Sequence, residues 1–225
     1  MCISYLEKTT LPSAPSHCII WLHGLGADGR DFENIAPLLQ LPEDTSFLMI
    51  FPNAPERPVT INHGLLCRAW YDIANLDRNF KEDDPGILAS ESSICELIDN
   101  VIKRGIPAER IFLGGFSQGA AMALFTGLRY SRPLAGIIAL SGYLPLTQTV
   151  MGNPSHKNLP ILMCHGQHDS VVPHALGRIA FETLQRNLYS KISFETFLID
   201  HEVSLDELRH IGDWIKDNAT LNGVS

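Results

Sequence analysis

Ile111-Phe112-Leu113-Gly114-Gly115-Phe116-Ser117-Gln118-Gly119-Ala120-Ala121-Met122-Ala123-Leu124 is the stretch on which the reading of this chain turns. Its first three residues are apolar and bounded by glycine, which predicts a short buried strand. The alanine-rich run that follows predicts a helix over Ala120–Leu128. Between them, Gly115-Phe116-Ser117-Gln118-Gly119 fits the G-x-S-x-G pattern of a sharp strand-to-helix turn that presents a serine hydroxyl. A serine at such a turn takes up a strained backbone, so its neighbours must be small. Gly115, Gly119, Ala120 and Ala121 meet that need. The turn also sets Ser117 at a helix N-terminus, where the dipole and free N–H groups favour a developing oxyanion.

Working outward, short apolar runs alternate with longer helical patterns. Strands are predicted at Cys18–Leu22, Phe47–Phe51, Gly136–Leu140, Ile161–Cys164 and Ile192–Leu198. Helices are predicted at Asp31–Leu39, Ile87–Arg104, Ala175–Leu188 and Ser204–Lys216, the last opened by a capping box of Ser204 and Glu207. Continuous apolar strands separated by helices indicate an α/β fold, a mostly parallel sheet with helices on both faces. In such sheets ligands bind beyond the carboxyl ends of the strands. The segment 53–85 has no clean period, holds several prolines and reads as a long excursion beside the site. The elements use up nearly all of the 225 residues, so one domain over 1–225 is expected, with no insertion long enough for a helical lid.

A serine hydroxyl is a weak nucleophile without a base. The elbow therefore calls for an acid and then a histidine, in that chain order, each just past a strand. Asp169 follows the Ile161–Cys164 strand and His201 follows the Ile192–Leu198 strand. In this reading His201 takes the Ser117 proton, and Asp169 holds its tautomer and stabilises the imidazolium. Asp72 is the weaker alternative acid, and none of the other eight of the nine histidines sits as well as His201. The oxyanion hole needs one N–H from the residue after the nucleophile, Gln118, and one from a Gly-rich loop after an early strand. His23-Gly24-Leu25-Gly26 fits, with Leu25 N–H as the donor and His23 as a brace for the loop.

Composition bounds the partners. Hydrophobic residues make up 45% and charged residues 19%, as in a globular chain with a substantial core. The formal net charge of −8 disfavours nucleic acid and electrostatic docking on anionic membranes, but leaves an uncharged acyl group welcome. Five cysteines at irregular spacing, without a CxxC, predict reduced thiols in the cytoplasm rather than a disulfide scaffold or a metal site. Neither a signal peptide nor an apolar run of membrane-spanning length is visible, so no stable membrane anchor is expected.

Beyond these local patterns the chain closely resembles the carboxylesterase and lysophospholipase family of α/β-hydrolases that includes the acyl-protein thioesterases. The resemblance is carried by Leu22–Gly29, Phe51–Gly64, Arg68–Ile73, Gly114–Leu124, Leu140–Pro145, His165–Pro173 and His201–Leu208, in the expected order across most of the chain. It implies an α/β-hydrolase fold, the triad Ser117–Asp169–His201 and the Leu25/Gln118 oxyanion hole. It implies hydrolysis of short- to medium-chain acyl esters or thioesters without a cofactor or metal, with small acyl esters or an acylated protein as substrate. It also implies a monomer or weak homodimer. Trp70 and its neighbours are implied in the acyl-binding region, and Leu65, Leu66, Leu76 and Phe80 are candidate apolar contacts there. One departure stands out: the family usually has glycine before the catalytic histidine, and this chain has Asp200. Aspartate tolerates a left-handed turn better than most residues. A carboxylate at this point would also favour the His201 imidazolium.

Overall fold

A computed structural model describes residues 3–75, 82–149 and 156–221. The apolar runs form strands. In chain order these are β1 (Tyr5–Thr9), β2 (His17–Leu22), β3 (Phe47–Pro52), β4 (Glu56–Val59), β5 (Leu65–Arg68), β6 (Ile111–Phe116), β7 (Gly136–Leu140), β8 (Ile161–Gly166) and β9 (Ile192–Phe197). The helices are α1 (Ala36–Leu39), α2 (Asp84–Lys103), α3 (Gln118–Arg129), α4 (His174–Arg186) and α5 (Leu205–Leu221). Seven strands make one sheet in the order β1-β3-β2-β6-β7-β8-β9, all parallel except β1, while β4 and β5 pair apart from it as a hairpin.

Alternation along the strands explains the layers. Cys18, Ile20 and Leu22 of β2 face one side with the apolar stripe of α2 and with α3 and α4. Ile19 and Trp21 face the other, where Leu39 of α1 and Leu208, Ile211 and Ile215 of α5 cover them. Helices therefore lie on both faces, as a parallel sheet buried on both sides requires.

The chain passes from β2 to β3 on one side and returns to β6 on the other. β2 is thereby the point where the winding reverses, and its carboxyl end lies beside that of β6, with Leu22 level with Gly115. A crevice opens at such a point, and it places the loop after β2 next to the turn after β6.

One expectation needs correction, and two features were not foreseen. The predicted helix over Asp31–Leu39 is instead a 3₁₀ turn, Gly29–Phe32, followed by the short α1. Pro37 explains the break, since its ring displaces the carbonyl four residues back and it offers no N–H. The excursion is not featureless: it contains the β4–β5 hairpin, and Gly26 N–H donates to the Arg68 carbonyl at 2.8 Å, so the hairpin braces the loop after β2. Strand β1 was not foreseen, because it is an edge strand with mostly exposed residues and lacks an apolar run.

Candidate active site

The turn after β6 holds Ser117 at φ 55° and ψ −119°, a conformation costly for a residue with a side chain. Two contacts impose it: Ser117 N–H donates to the Leu140 carbonyl at 2.8 Å, and the Ser117 carbonyl accepts from Ala121 N–H at 3.1 Å. Glycine at 119 makes the turn possible, because a Cβ there would lie 2.2 Å from the Leu22 carbonyl oxygen. The close approach brings the start of α3 against the end of β2.

His201 arrives from the loop after β9. Its Nε2 is 2.9 Å from Ser117 Oγ, and its Nδ1 is 2.8 Å from Asp169 Oδ2. The His201 ring packs on Phe116 with centroids 4.7 Å apart, and its side chain is 14% exposed. Asp169 comes from the turn after β8. Its Oδ1 accepts from Val171 N–H at 3.0 Å and Val172 N–H at 2.7 Å. Burial alone would push the Asp169 pKa up, but hydrogen bonds from His165, His201 and the Val172 N–H outweigh it and hold the carboxyl well below the usual range. Asp169 therefore stays ionised beside His201.

Asp200 does not occupy a left-handed turn, since it is not among the described non-glycine residues with positive φ. Its Oδ1 instead accepts from Ser170 N–H at 2.7 Å, Ser170 Oγ at 2.8 Å and His201 N–H at 2.8 Å. The carboxylate clips the loop carrying the acid to the loop carrying the histidine. The alternative acid, Asp72, lies elsewhere: it accepts from Thr60 N–H at 2.7 Å and Thr60 Oγ at 2.6 Å.

His23 braces the loop after β2. His23 Nε2 accepts from Ala54 N–H at 3.0 Å, which leaves Nδ1 protonated to donate to the Gly24 carbonyl at 2.7 Å. Burial lowers the His23 pKa and keeps the ring neutral in this role. Gly24 is close to the nucleophile, since a Cβ built on it would stand 3.5 Å from Ser117 Cβ. The Gln118 side chain turns away, its Oε1 accepting from Trp70 N–H and its Nε2 donating to the Tyr71 carbonyl, both at 2.8 Å. The Gln118 backbone N–H is the first of α3 and has no acceptor within the helix.

A cavity of about 410 Å³ opens over Ser117, lined by Leu25 and Gln118 and by Ile61, Ile73, Tyr143, Val171 and Val172. The expected acyl contacts mostly lie elsewhere. Trp70 is 0% exposed and does not line this cavity. Its indole N–H donates to the His23 carbonyl at 2.9 Å, so it buttresses the donor loop from behind. Leu65 and Leu66, on opposite faces of β5, are 68% and 66% exposed and do not line this cavity. Leu76 and Phe80 lie outside the described residues. Val171 and Val172 were within reach of sequence reasoning, as apolar residues two and three positions after Asp169. Ile61 sits in a short 3₁₀ turn and carries no periodic signal. A larger depression of about 610 Å³ between β1 and α1 is lined by no serine, histidine or cysteine.

Among the described residues no cluster of three or more His, Cys, Asp or Glu side chains is arranged to hold a metal ion. Nor is any helix long and apolar enough to cross a membrane. The model of one protein family, described as phospholipase/carboxylesterase, matches residues 9–219. The chain is 41% identical over 175 residues to acyl-protein thioesterase 1 of Schizosaccharomyces pombe, covering 77% of each chain. It is 36% identical over 205 residues to a probable carboxylesterase of Oryza sativa, covering 89% of this chain and 77% of the relative. The crystal structure of Arabidopsis thaliana SOBER1 superposes with a TM-score of 0.84 at 32% identity, covering 90% of this chain and 98% of that one.

Proposed function

This chain belongs to the phospholipase/carboxylesterase family of α/β-hydrolases, and from that membership we propose that it hydrolyses short- to medium-chain acyl esters or thioesters through an acyl-enzyme on Ser117. The observation that carries this reading is the unbroken relay from Ser117 Oγ to His201 Nε2 at 2.9 Å and from His201 Nδ1 to Asp169 Oδ2 at 2.8 Å. Ser117 Oγ attacks the acyl carbonyl carbon and its proton passes to His201 Nε2. The carbonyl π electrons move to oxygen, where the Leu25 and Gln118 N–H groups stabilise the charge, each such donor being worth about 3–4 kcal/mol in the transition state. Collapse breaks the bond to the leaving oxygen or sulfur, which takes the proton from Nε2. Water, deprotonated by His201, then repeats the attack on the acyl-enzyme, releasing the acid and regenerating Ser117. Asp169, held ionised, keeps the imidazole in the working tautomer throughout.

The test is direct. Wild-type protein should hydrolyse p-nitrophenyl butyrate and take a fluorophosphonate label. Ser117→Ala should lose both, with turnover reduced by about 10⁴-fold or more. Near-normal turnover in Ser117→Ala would overturn the assignment, and an unlabelled wild type would favour a binding module instead.

A second reading is deacylation of acylated proteins or lysophospholipids as the physiological role. The name of the Schizosaccharomyces pombe relative favours the former. Release of palmitate from an acylated protein, measured against simple esters, separates the two. In either role the chain is proposed to act as one domain, a monomer or weak homodimer, in the cytoplasm; the free thiols of Cys18, Cys67, Cys95 and Cys164 support that compartment.

A further inference from the structure

A second groove, about 380 Å³, adjoins the cavity over Ser117 at His201. Asp31, Phe116 and His201 line both, so the two form one trough with the histidine in its waist. The two halves differ in what they offer. The first contains Ser117, Leu25 and Gln118, the groups that hold the acyl carbonyl in the reading above. The second contains none of these, but it shares the imidazole that gives a proton to the departing atom.

We infer that this second groove is the leaving-group subsite, and that it selects apolar leaving groups that are neutral or cationic over anionic ones. The inference rests on the hydrolase reading above. When the bond from carbonyl carbon to oxygen or sulfur breaks, the His201 Nε2 proton goes to the departing atom, so the leaving group must lie alongside His201 and outside the donor cradle. The groove walls are mostly apolar: Phe32, Ile35, Val203, Leu208 and Leu38, which is 43% exposed, with Asn34 the uncharged polar residue among them. Asp31 and Glu202 stand at the edge, and neither carboxylate is paired to a cation among the described residues. No lysine or arginine lines the groove. An apolar body is welcomed and a negative charge is repelled.

Esters sharing one acyl group test this: methyl butyrate, 2-naphthyl butyrate and the 6-sulfonated naphthyl butyrate, with methyl octanoate as the acyl-side control. The measure is kcat/KM at low ionic strength, since it reports steps during which the leaving group is still attached. Wild type should favour the neutral naphthyl ester over the sulfonated one by about fivefold. Leu38→Arg should lower the naphthyl-to-methyl ratio by about fivefold and raise the sulfonated-to-neutral ratio, leaving the octanoate-to-butyrate ratio unchanged. Glu202→Gln, an exposed substitution, should raise the sulfonated-to-neutral ratio by about twofold. Naphthyl-to-methyl and sulfonated-to-neutral ratios unmoved by both variants would overturn the subsite alone, as would a changed octanoate-to-butyrate ratio in Leu38→Arg. A wild type that cleaves none of the esters and takes no fluorophosphonate label would overturn both the subsite and the hydrolase reading.

Discussion

Asp200 directly precedes His201, and the structure gives it a use that its chemistry explains. A carboxylate oxygen can accept several hydrogen bonds at once, and Oδ1 takes three, two from Ser170 and one from the His201 N–H. Those donors also lower its pKa, so it is a stable anchor at neutral pH. The acid and the base of the relay ride on two separate loops, and small displacements of reacting groups are costly in rate. Asp200→Gly should therefore lower kcat by about tenfold with little change in KM or melting temperature. Asp200→Asn, which keeps an oxygen acceptor, should retain most of the activity. Stopped assays on a neutral ester with both variants decide it; full activity in Asp200→Gly would mean that the loops hold their places unaided. Ser117, Asp169 and His201 themselves were legible because the elbow pattern demands an acid and a histidine in a set chain order. The resemblance implied Trp70 in the acyl-binding region, and only the position of its N–H acceptor, the His23 carbonyl, reveals it as a buttress.

At the scale of the element, helix ends decide more than helix interiors. The capping box at the start of α5 is present as read: Glu207 N–H donates to Ser204 Oγ at 3.2 Å, and Ser204 N–H donates to Glu207 Oε2 at 3.4 Å. Its burial was not legible. Glu207 is buried on the sheet-facing side of α5, its Oε1 has no hydrogen-bond partner among the described residues, and burial pushes its pKa up to about 7 despite the hydrogen bond from Ser204. A carboxyl that binds its proton more tightly in the folded state than in the unfolded one stabilises the fold at low pH and loses that contribution as pH rises. The window runs from the ordinary value of 4.5 to about 7. Across it, Glu207 should withdraw about 3 kcal/mol of stability. Glu207→Gln, which can keep the box, should remove that slope; urea unfolding at several pH values would show it. An unchanged pH dependence in the variant would mean that the buried carboxyl is not the titrating group. Pro37 teaches the complementary lesson. The apolar spacing of Phe32, Ile35, Ala36 and Leu39 pointed to one helix, and a single missing N–H divided it.

For the whole molecule, the sheet order and the net charge matter most. The −8 charge sets a long-range field that steers charged substrates before any contact is made. For a cationic thioester such as butyrylthiocholine, kcat/KM should fall by about two- to threefold as salt rises from about 10 to about 300 mM, because screening shortens the reach of the field. The neutral methyl ester should show little change. Equal salt dependence for both would assign the effect to the protein's conformation rather than to steering.

What the sequence determined by itself was the set of buried strands, the elbow and the order of the reacting groups. Each of these is written in local features: apolar runs, small residues around one serine, and a carboxylate and a histidine just past strands. What only the tertiary structure decided was adjacency. Nothing in a run of apolar residues says which strand lies beside it, yet the reversal of winding at β2 is what sets the Gly24–Leu25 loop against Ser117. The cavity walls follow the same rule. Ile61, Ile73, Tyr143 and Val171 meet there because three parts of the chain distant in sequence converge at the carboxyl end of one sheet, Ile61 and Ile73 coming from one excursion. Leu65 and Leu66, apolar and on the same hairpin, are left exposed while Val59, paired with Leu65, is buried, because apolar character alone does not say what a strand will pack against.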